Sequence, residues 1–180
     1  MRYRRSKAKG ASFFFTVVTH GRKKTLCRKE NVLLIKEAFK RVIAERPFTI
    51  DAFVLLPDHI HCIWTLPEND NDFSTRWRLF KSFFTKGCRD EFKSAQTDSM
   101  LKKGEQAIWQ RRFWEHTIRD EDDFIRHADY IHYNPVKHGL AESPKDWPHT
   151  SFHRYVDMGV YDREWGSGRE MAFDECVGRE

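Results

Sequence analysis

From Ser12 to Thr19 the chain is almost continuously apolar, Ser-Phe-Phe-Phe-Thr-Val-Val-Thr, the pattern of a strand buried on both faces. Leu34, Ile35, Ala38, Phe39, Val42 and Ile43 then recur at helical spacing, which predicts a helix over residues 30–45 that Pro47 stops. Phe48 to Leu56 and His59 to Leu66 read as two further strands, paired antiparallel through a tight turn at Pro57-Asp58. Asp72 or Ser74 can cap a second helix running to about Phe92, with Trp77, Phe80, Phe83 and Phe84 along one side. Residues 93–106 are polar and predict a flexible loop. Ile108 to Ile118 predicts a fourth strand. Asp120 then opens a last helix, whose acidic first turn through Asp123 complements the helix dipole. Phe124, Ala128 and Ile131 are its core positions. Pro135 disfavours helical geometry at Asn134, so this helix is expected to fray or kink there.

Strand, helix, strand, strand, helix, strand is the ferredoxin-like split βαβ order. The expected class is α+β: an antiparallel sheet with helices on one face, plus an appended C-terminal helix. The 180 residues suit one domain. Its parts are a basic arm over residues 1–10, a body over 11–154, and an acidic tail over 155–180 whose weak periodicity reads as mobile. Charge sharpens this division. Residues 1–46 carry 14 Lys/Arg against 3 Asp/Glu, whereas residues 155–180 carry 3 against 7. A basic front and an acidic end point to a polyanionic partner. The four cysteines are far apart and form no Cys-x-x-Cys pair, which argues against a zinc ribbon and for a reduced, cytoplasmic protein. No secretory signal or membrane-length apolar run is seen.

The candidate chemistry lies in Pro57-Asp58-His59-Ile60-His61-Cys62-Ile63-Trp64. On a strand, His59 and His61 share a face, and two adjacent imidazoles suit a divalent metal. A half-buried strand with two incidental histidines fits the same pattern. Downstream, Tyr130 and Asn134 are four apart and share a helix face. A phenol with a pKa of about 10 is a poor nucleophile at neutral pH. A metal that polarises a phosphodiester would let it attack. Tyr133, three positions on, is not excluded by spacing. For nucleic-acid contacts the candidates are Arg2, Arg4 and Arg5 in the arm, Arg76, Arg78 and Lys81 on the second helix, and Arg111 and Arg112 beside Trp109 and Trp114.

Asp58-His59-Ile60-His61 resembles the His-hydrophobic-His motif of the HUH endonucleases. Asp129-Tyr130-Ile131-His132-Tyr133-Asn134-Pro135-Val136-Lys137-His138-Gly139 resembles the tyrosine helix of the REP-associated tyrosine transposases, relatives of the single-tyrosine insertion-sequence transposases. Arg46-Pro47-Phe48, Arg112-Phe113-Trp114-Glu115-His116 and Asp146-Trp147-Pro148 are similar to that family as well, in the expected order. The resemblance implies a strand transferase that acts on single-stranded DNA with imperfect hairpins, using Mg²⁺ or Mn²⁺ and leaving a 5′-phosphotyrosine and a free 3′-OH. It makes His59 and His61 metal ligands and Tyr130 the nucleophile. Asn134 stands where the insertion-sequence relatives carry a glutamine ligand. It also implies a monomer or weak homodimer. Two rival readings are a hairpin- or RNA-binding ferredoxin-like module without catalysis and an HUH nuclease of the replication-initiator or relaxase kind.

If the arm contacts phosphates, affinity for a DNA hairpin falls steeply with salt, and deleting residues 1–8 weakens binding and flattens that dependence. Titrations of the intact and shortened chains across salt concentrations test this; equal affinities throughout would reduce the arm to a frayed end.

Overall fold

In a computed structural model that describes residues 6–93, 95–102, 107–168, 170–173 and 177–178, four strands make one antiparallel sheet. They are β1 (Ser12–Val18), β2 (Thr49–Leu55), β3 (His59–Thr65) and β4 (Trp114–Thr117), in the order β2-β3-β1-β4. This is the order a split βαβ repeat produces, as the element sequence predicts. The helices are α1 (Lys29–Glu45), α2 (Phe73–Gly87), a short α3 (Asp98–Lys102), α4 (Glu121–Lys137) and α5 (Phe152–Asp157). Among the described residues no helix is long and apolar enough to cross a membrane.

Strand alternation sorts the core into two layers. Phe13, Phe15 and Val17 of β1, with Ile60, Cys62 and Trp64 of β3, face α1 and α2. Trp64 stacks on Trp77 at 4.1 Å between ring centroids, and Phe39 stacks on Phe80 at 4.3 Å. Phe14, Ala52, Val54, Leu56 and Ile63 point the other way, against Ala128, Tyr130 and Ile131 of α4. So α1 and α2 share one face, and the appended α4 fills the other. His59 and His61 have the parity of Ile63 and look toward α4.

Several boundaries differ from expectation, each for a local reason. Asp72 caps α2, its carboxylate accepting from the Thr75 amide at 3.0 Å, but the helix ends at Gly87 rather than near Phe92. A Cβ on Gly87 would lie 2.6 Å from Leu34 Cδ2, so glycine lets α1 approach without displacing that side chain, and Cys88 is already extended. The predicted fourth strand is shortened to Trp114–Thr117. Its first half makes a single bridge, Thr19 to Trp109, because Trp109 turns into the α2 layer against Phe80 and Phe84. The stretch read as a plain loop holds α3. Pro135 does not break α4. It sits in the last turn and forfeits one hydrogen bond to the Ile131 carbonyl, yet the helix continues, with the Asn134 carbonyl accepting from the His138 amide at 3.0 Å.

Arg76 is corrected as a DNA contact. It is 1 % exposed, and its guanidinium donates to the carbonyls of Arg46, Asp72 and Pro47 and to the Asp70 carboxylate. It ties the end of α1 to the start of α2. Lys81 donates to the Gln110 carbonyl at 2.8 Å and so anchors the segment before β4. Arg78, Arg111 and Arg112 are exposed. Arg78 and Lys81 belong to α2, on the sheet face away from the histidines. Arg2, Arg4 and Arg5 lie outside the described residues.

Beyond α4 the chain returns along β2. The Leu55 amide donates to the His149 carbonyl and Trp147 Nε1 to the Leu55 carbonyl. The described part of segment 155–180 is packed: Tyr155, Tyr161 and Trp165 stack in series, with His132 of α4 beneath the two tyrosines. Burial and then the Arg154 charge push His132 down to about 3, so it stays neutral as it bridges Tyr161 and Ser151.

Asp123 fastens the start of α4 to β4. It is 1 % exposed and accepts from the Arg119 guanidinium, the Arg119 amide and His116 Nε2. Burial works against its charge, but these bonds outweigh it and hold its pKa well below the usual carboxylate range. A folded-state pKa below the unfolded one stabilises above the unfolded value and ceases to as pH falls through the folded one. Asp123→Asn should therefore cost about 2 kcal/mol at neutral pH, with the deficit shrinking below about pH 4. Denaturant unfolding across pH measures this; a pH-independent deficit would mean the charge is not what matters.

Candidate active site

Two histidines from β3 and Tyr130 of α4 meet on one face of the sheet. The rings of His59 and His61 lie 4.7 Å apart and nearly perpendicular, and both are buried, 1 % and 0 % exposed. Each Nδ1 is held. His59 Nδ1 donates to Asp58 Oδ1 at 2.7 Å. His61 Nδ1 meets Thr16 Oγ1 at 2.9 Å, because the β1–β3 register sets Thr16 opposite His61. Asp58 is itself bound by Arg22 at 3.2 Å. Burial opposes the Asp58 charge, but the hydrogen bond from His59, with the bond and charge of Arg22, keeps its pKa below the normal range. An Nδ1–H that donates leaves Nε2 as the ligating nitrogen, and a carboxylate behind a histidine is the usual support of a metal-binding imidazole. The pair can hold a divalent cation through two Nε2 atoms.

Tyr130 of α4 faces this pair. It is 1 % exposed, and its ring lies 5.3 Å from that of His61 and 6.2 Å from Phe14. Asn134, one turn on and fully buried, keeps the same helix face because α4 runs through Pro135. Its side-chain carbonyl is an oxygen donor of the right kind for a third ligand. His132 turns elsewhere, onto Tyr155 and Tyr161, while Tyr133 reaches Trp165 and shares Phe173 with Tyr130. The structure thus brings together His59, His61 and Tyr130, keeps Asn134 one turn along the same helix face, and seats Tyr133 against Trp165.

Some residues of the site carry little signal in the sequence. Thr16 is one threonine in an apolar strand, and only strand pairing shows its partner. His138 brings a third imidazole to 5.2 Å from His59. Lys137 Nζ donates to Tyr130 Oη at 2.9 Å. The C-terminal segment also reaches the tyrosine: Tyr130 Oη donates to the Gly178 carbonyl at 3.0 Å, and Phe173 packs edge-on to the ring at 5.4 Å. A Cβ on Gly178 would lie 2.1 Å from the tyrosine ring, and its φ is +71°, so the segment lies on the ring only because this residue is glycine.

A second group of donors, His116, Asp123 and His127, brings one atom each to within 4.8 Å of one another and can hold a metal ion by spacing. The guanidinium groups of Arg119 and Arg126 already lie against the Asp123 carboxylate, and His127 Nδ1 donates to the Asp123 carbonyl at 2.7 Å. A cation entering there would compete with these positive charges.

Comparison with known proteins gives the family. The family model described as "Transposase IS200 like" matches residues 9–134, a span that contains both histidines, Tyr130 and Asn134. The REP-associated tyrosine transposase of Escherichia coli (strain K12) is 45 % identical over 163 residues, covering 91 % of this chain and 89 % of the relative. A solved structure of a REP-associated tyrosine transposase bound to a REP hairpin superposes with a TM-score of 0.80 at 40 % identity, covering all of this chain and 98 % of the other.

The C-terminal segment shields Tyr130, so the phenol should react slowly with a nitrating reagent in the intact chain. A chain ending at Gly168 keeps the Tyr161–Trp165 stack and removes Phe173, Val177 and Gly178, and Gly178→Val drives a side chain into the ring. Either change should speed nitration of Tyr130 several-fold, read by peptide mass spectrometry. Unchanged labelling in folded protein would show that the segment does not cover the tyrosine.

Proposed function

The chain belongs to the IS200-like transposase family, among the REP-associated tyrosine transposases, and from that premise we propose that it binds single-stranded DNA hairpins and cuts them through Tyr130 with Mg²⁺ or Mn²⁺ held by His59 and His61. The observation that carries the reading is the packing of Tyr130 nearly perpendicular to His61, 5.3 Å between ring centres, with both Nδ1 atoms of the pair engaged from behind. A module that only bound hairpins would need neither the tethered histidines nor a tyrosine beside them.

The donor set fits a divalent cation. Two imidazoles with carboxylate and hydroxyl support, plus the Asn134 carbonyl oxygen, give mixed nitrogen and oxygen ligation. When bound, the cation polarises the phosphodiester oxygens and steadies the charge that builds on them. Asp58 fixes the tautomer of His59, and Asp58 and Thr16 together set the tilt of the two rings. The β-sheet beneath and α4 above hold Tyr130 and the histidines at one separation, which spares the entropy of bringing them together. Tyr130 Oη attacks phosphorus, the bond to the 3′ oxygen breaks, and that oxygen leaves as a hydroxyl once protonated. The 5′-phosphotyrosine conserves the energy of the cut strand for a second transfer. The arm, with the exposed Arg111 and Arg112, supplies cations for the phosphate backbone.

Tyr130→Phe keeps the ring in its apolar surroundings and removes the attacking oxygen. It should bind a labelled hairpin normally and form no covalent protein–DNA adduct on a denaturing gel. Replacing His59 and His61 with alanine should likewise abolish metal-dependent nicking while binding survives. An adduct that persists in Tyr130→Phe and vanishes in Tyr133→Phe would move the nucleophile.

A further inference from the structure

Lys137 stands in the last turn of α4, two turns beyond Tyr130. It is an exposed residue, and a cation at a helix C-terminus is favoured by the dipole wherever its side chain points. Its direction is what the dipole does not explain. The side chain runs back along the helix, sets Nζ 4.7 Å from the centre of the Tyr130 ring and donates to Tyr130 Oη at 2.9 Å. Around Tyr130, among the described residues, are Phe14 from β1, His61 from β3, Phe173 and the Gly178 carbonyl from the C-terminal segment, and Lys137 from α4 itself. Lys137 brings a full positive charge to the oxygen. Donor and acceptor belong to one helix.

We propose that Lys137 is a catalytic residue: its ammonium holds Tyr130 Oη and stabilises the negative charge that oxygen carries, as nucleophile in cleavage and as leaving group in rejoining. This rests on the reading of Tyr130 as the nucleophile. In cleavage the phenol proton passes to water, the Oη–P bond forms, the P–O3′ bond breaks, and the 3′ oxygen takes a proton from water. In rejoining the 3′-hydroxyl gives up its proton and attacks phosphorus. The P–Oη bond breaks with its electron pair on Oη, and the phenolate is reprotonated from solvent. Lys137 keeps its proton throughout and acts by charge. A preorganised donor aimed at a developing oxyanion is worth most where water is excluded, and Tyr130 is buried.

The test uses the full chain with a hairpin substrate at saturating protein, following adduct formation and rejoining in single turnovers. Lys137→Met should bind the hairpin like wild type but slow both steps by about 10- to 100-fold, whereas Lys137→Arg should keep most of the rate. Replacing Tyr130 with 3,5-difluorotyrosine, a better leaving group, should restore rejoining in Lys137→Met to within about threefold of wild type. Wild-type rates in Lys137→Met would overturn the proposal. So would weaker binding with normal rates once bound, which would make Lys137 a phosphate contact, and so would a rejoining defect the fluorinated tyrosine leaves in place. The nucleophile reading fails separately: an adduct in Tyr130→Phe sinks it, while no adduct there beside an unimpaired Lys137→Met sinks the lysine alone.

Discussion

Two imidazoles buried side by side lose their hydration, and the fold recovers that loss only by giving their nitrogens partners. Here the Nδ1 side is settled by the protein itself. Asp58 serves His59 from the turn that starts the strand, and Thr16 serves His61 from the neighbouring strand. Both arrangements depend on register. A slip of one residue between β1 and β3 would set an apolar side chain opposite His61 and turn Thr16 to the other layer. The register is held by the apolar alternation on both faces of the central strands, above all Phe13, Phe15 and Trp64 against α2. The aromatic core on one side of the sheet thus holds in place the Nδ1 partners of the histidines on the other.

The second half of the site depends on α4 remaining a helix past Asn134. Its N-terminus is braced to β4 through Asp123 and Arg119, and its middle is buried against Phe14, Val54 and Ile63. With both anchors in place, the helix carries a proline in its last turn without losing direction. That continuity keeps Tyr130, Asn134 and Lys137 along one line. The aromatic stack of Tyr155, Tyr161 and Trp165 closes over the opposite flank, takes up His132 and seats Tyr133 against Trp165.

Much of this was legible in the residues. The period-two and period-3.6 patterns give the order of elements and the ferredoxin-like sheet, and the parity of His59 and His61 puts them on one face of their strand. Tyr130 and Asn134 follow from helical spacing. Contacts between segments far apart in sequence were not legible: Thr16 on His61, Arg22 on Asp58, and Gly178 on Tyr130. Arg76 shows the same limit from the other side. In sequence it is one cation of a basic helix, and burial makes it a tie between α1 and α2. Boundaries moved where tertiary packing overrode local preference, as at Gly87 beneath Leu34 and at Trp109, which the α2 layer draws out of the strand pattern.

The central claim is that Tyr130, and no other tyrosine, becomes joined to DNA beside the histidine pair. It is tested most directly by isolating the covalent adduct formed with a hairpin and Mn²⁺, digesting protein and DNA, and locating the nucleotide remnant by fragment-ion mass spectrometry. Tryptic cleavage after Arg126 and Lys137 yields one peptide that holds both Tyr130 and Tyr133. The account predicts a single 5′-phosphonucleotide on Tyr130 within that peptide. A remnant on Tyr133, or on a peptide elsewhere in the chain, would contradict it.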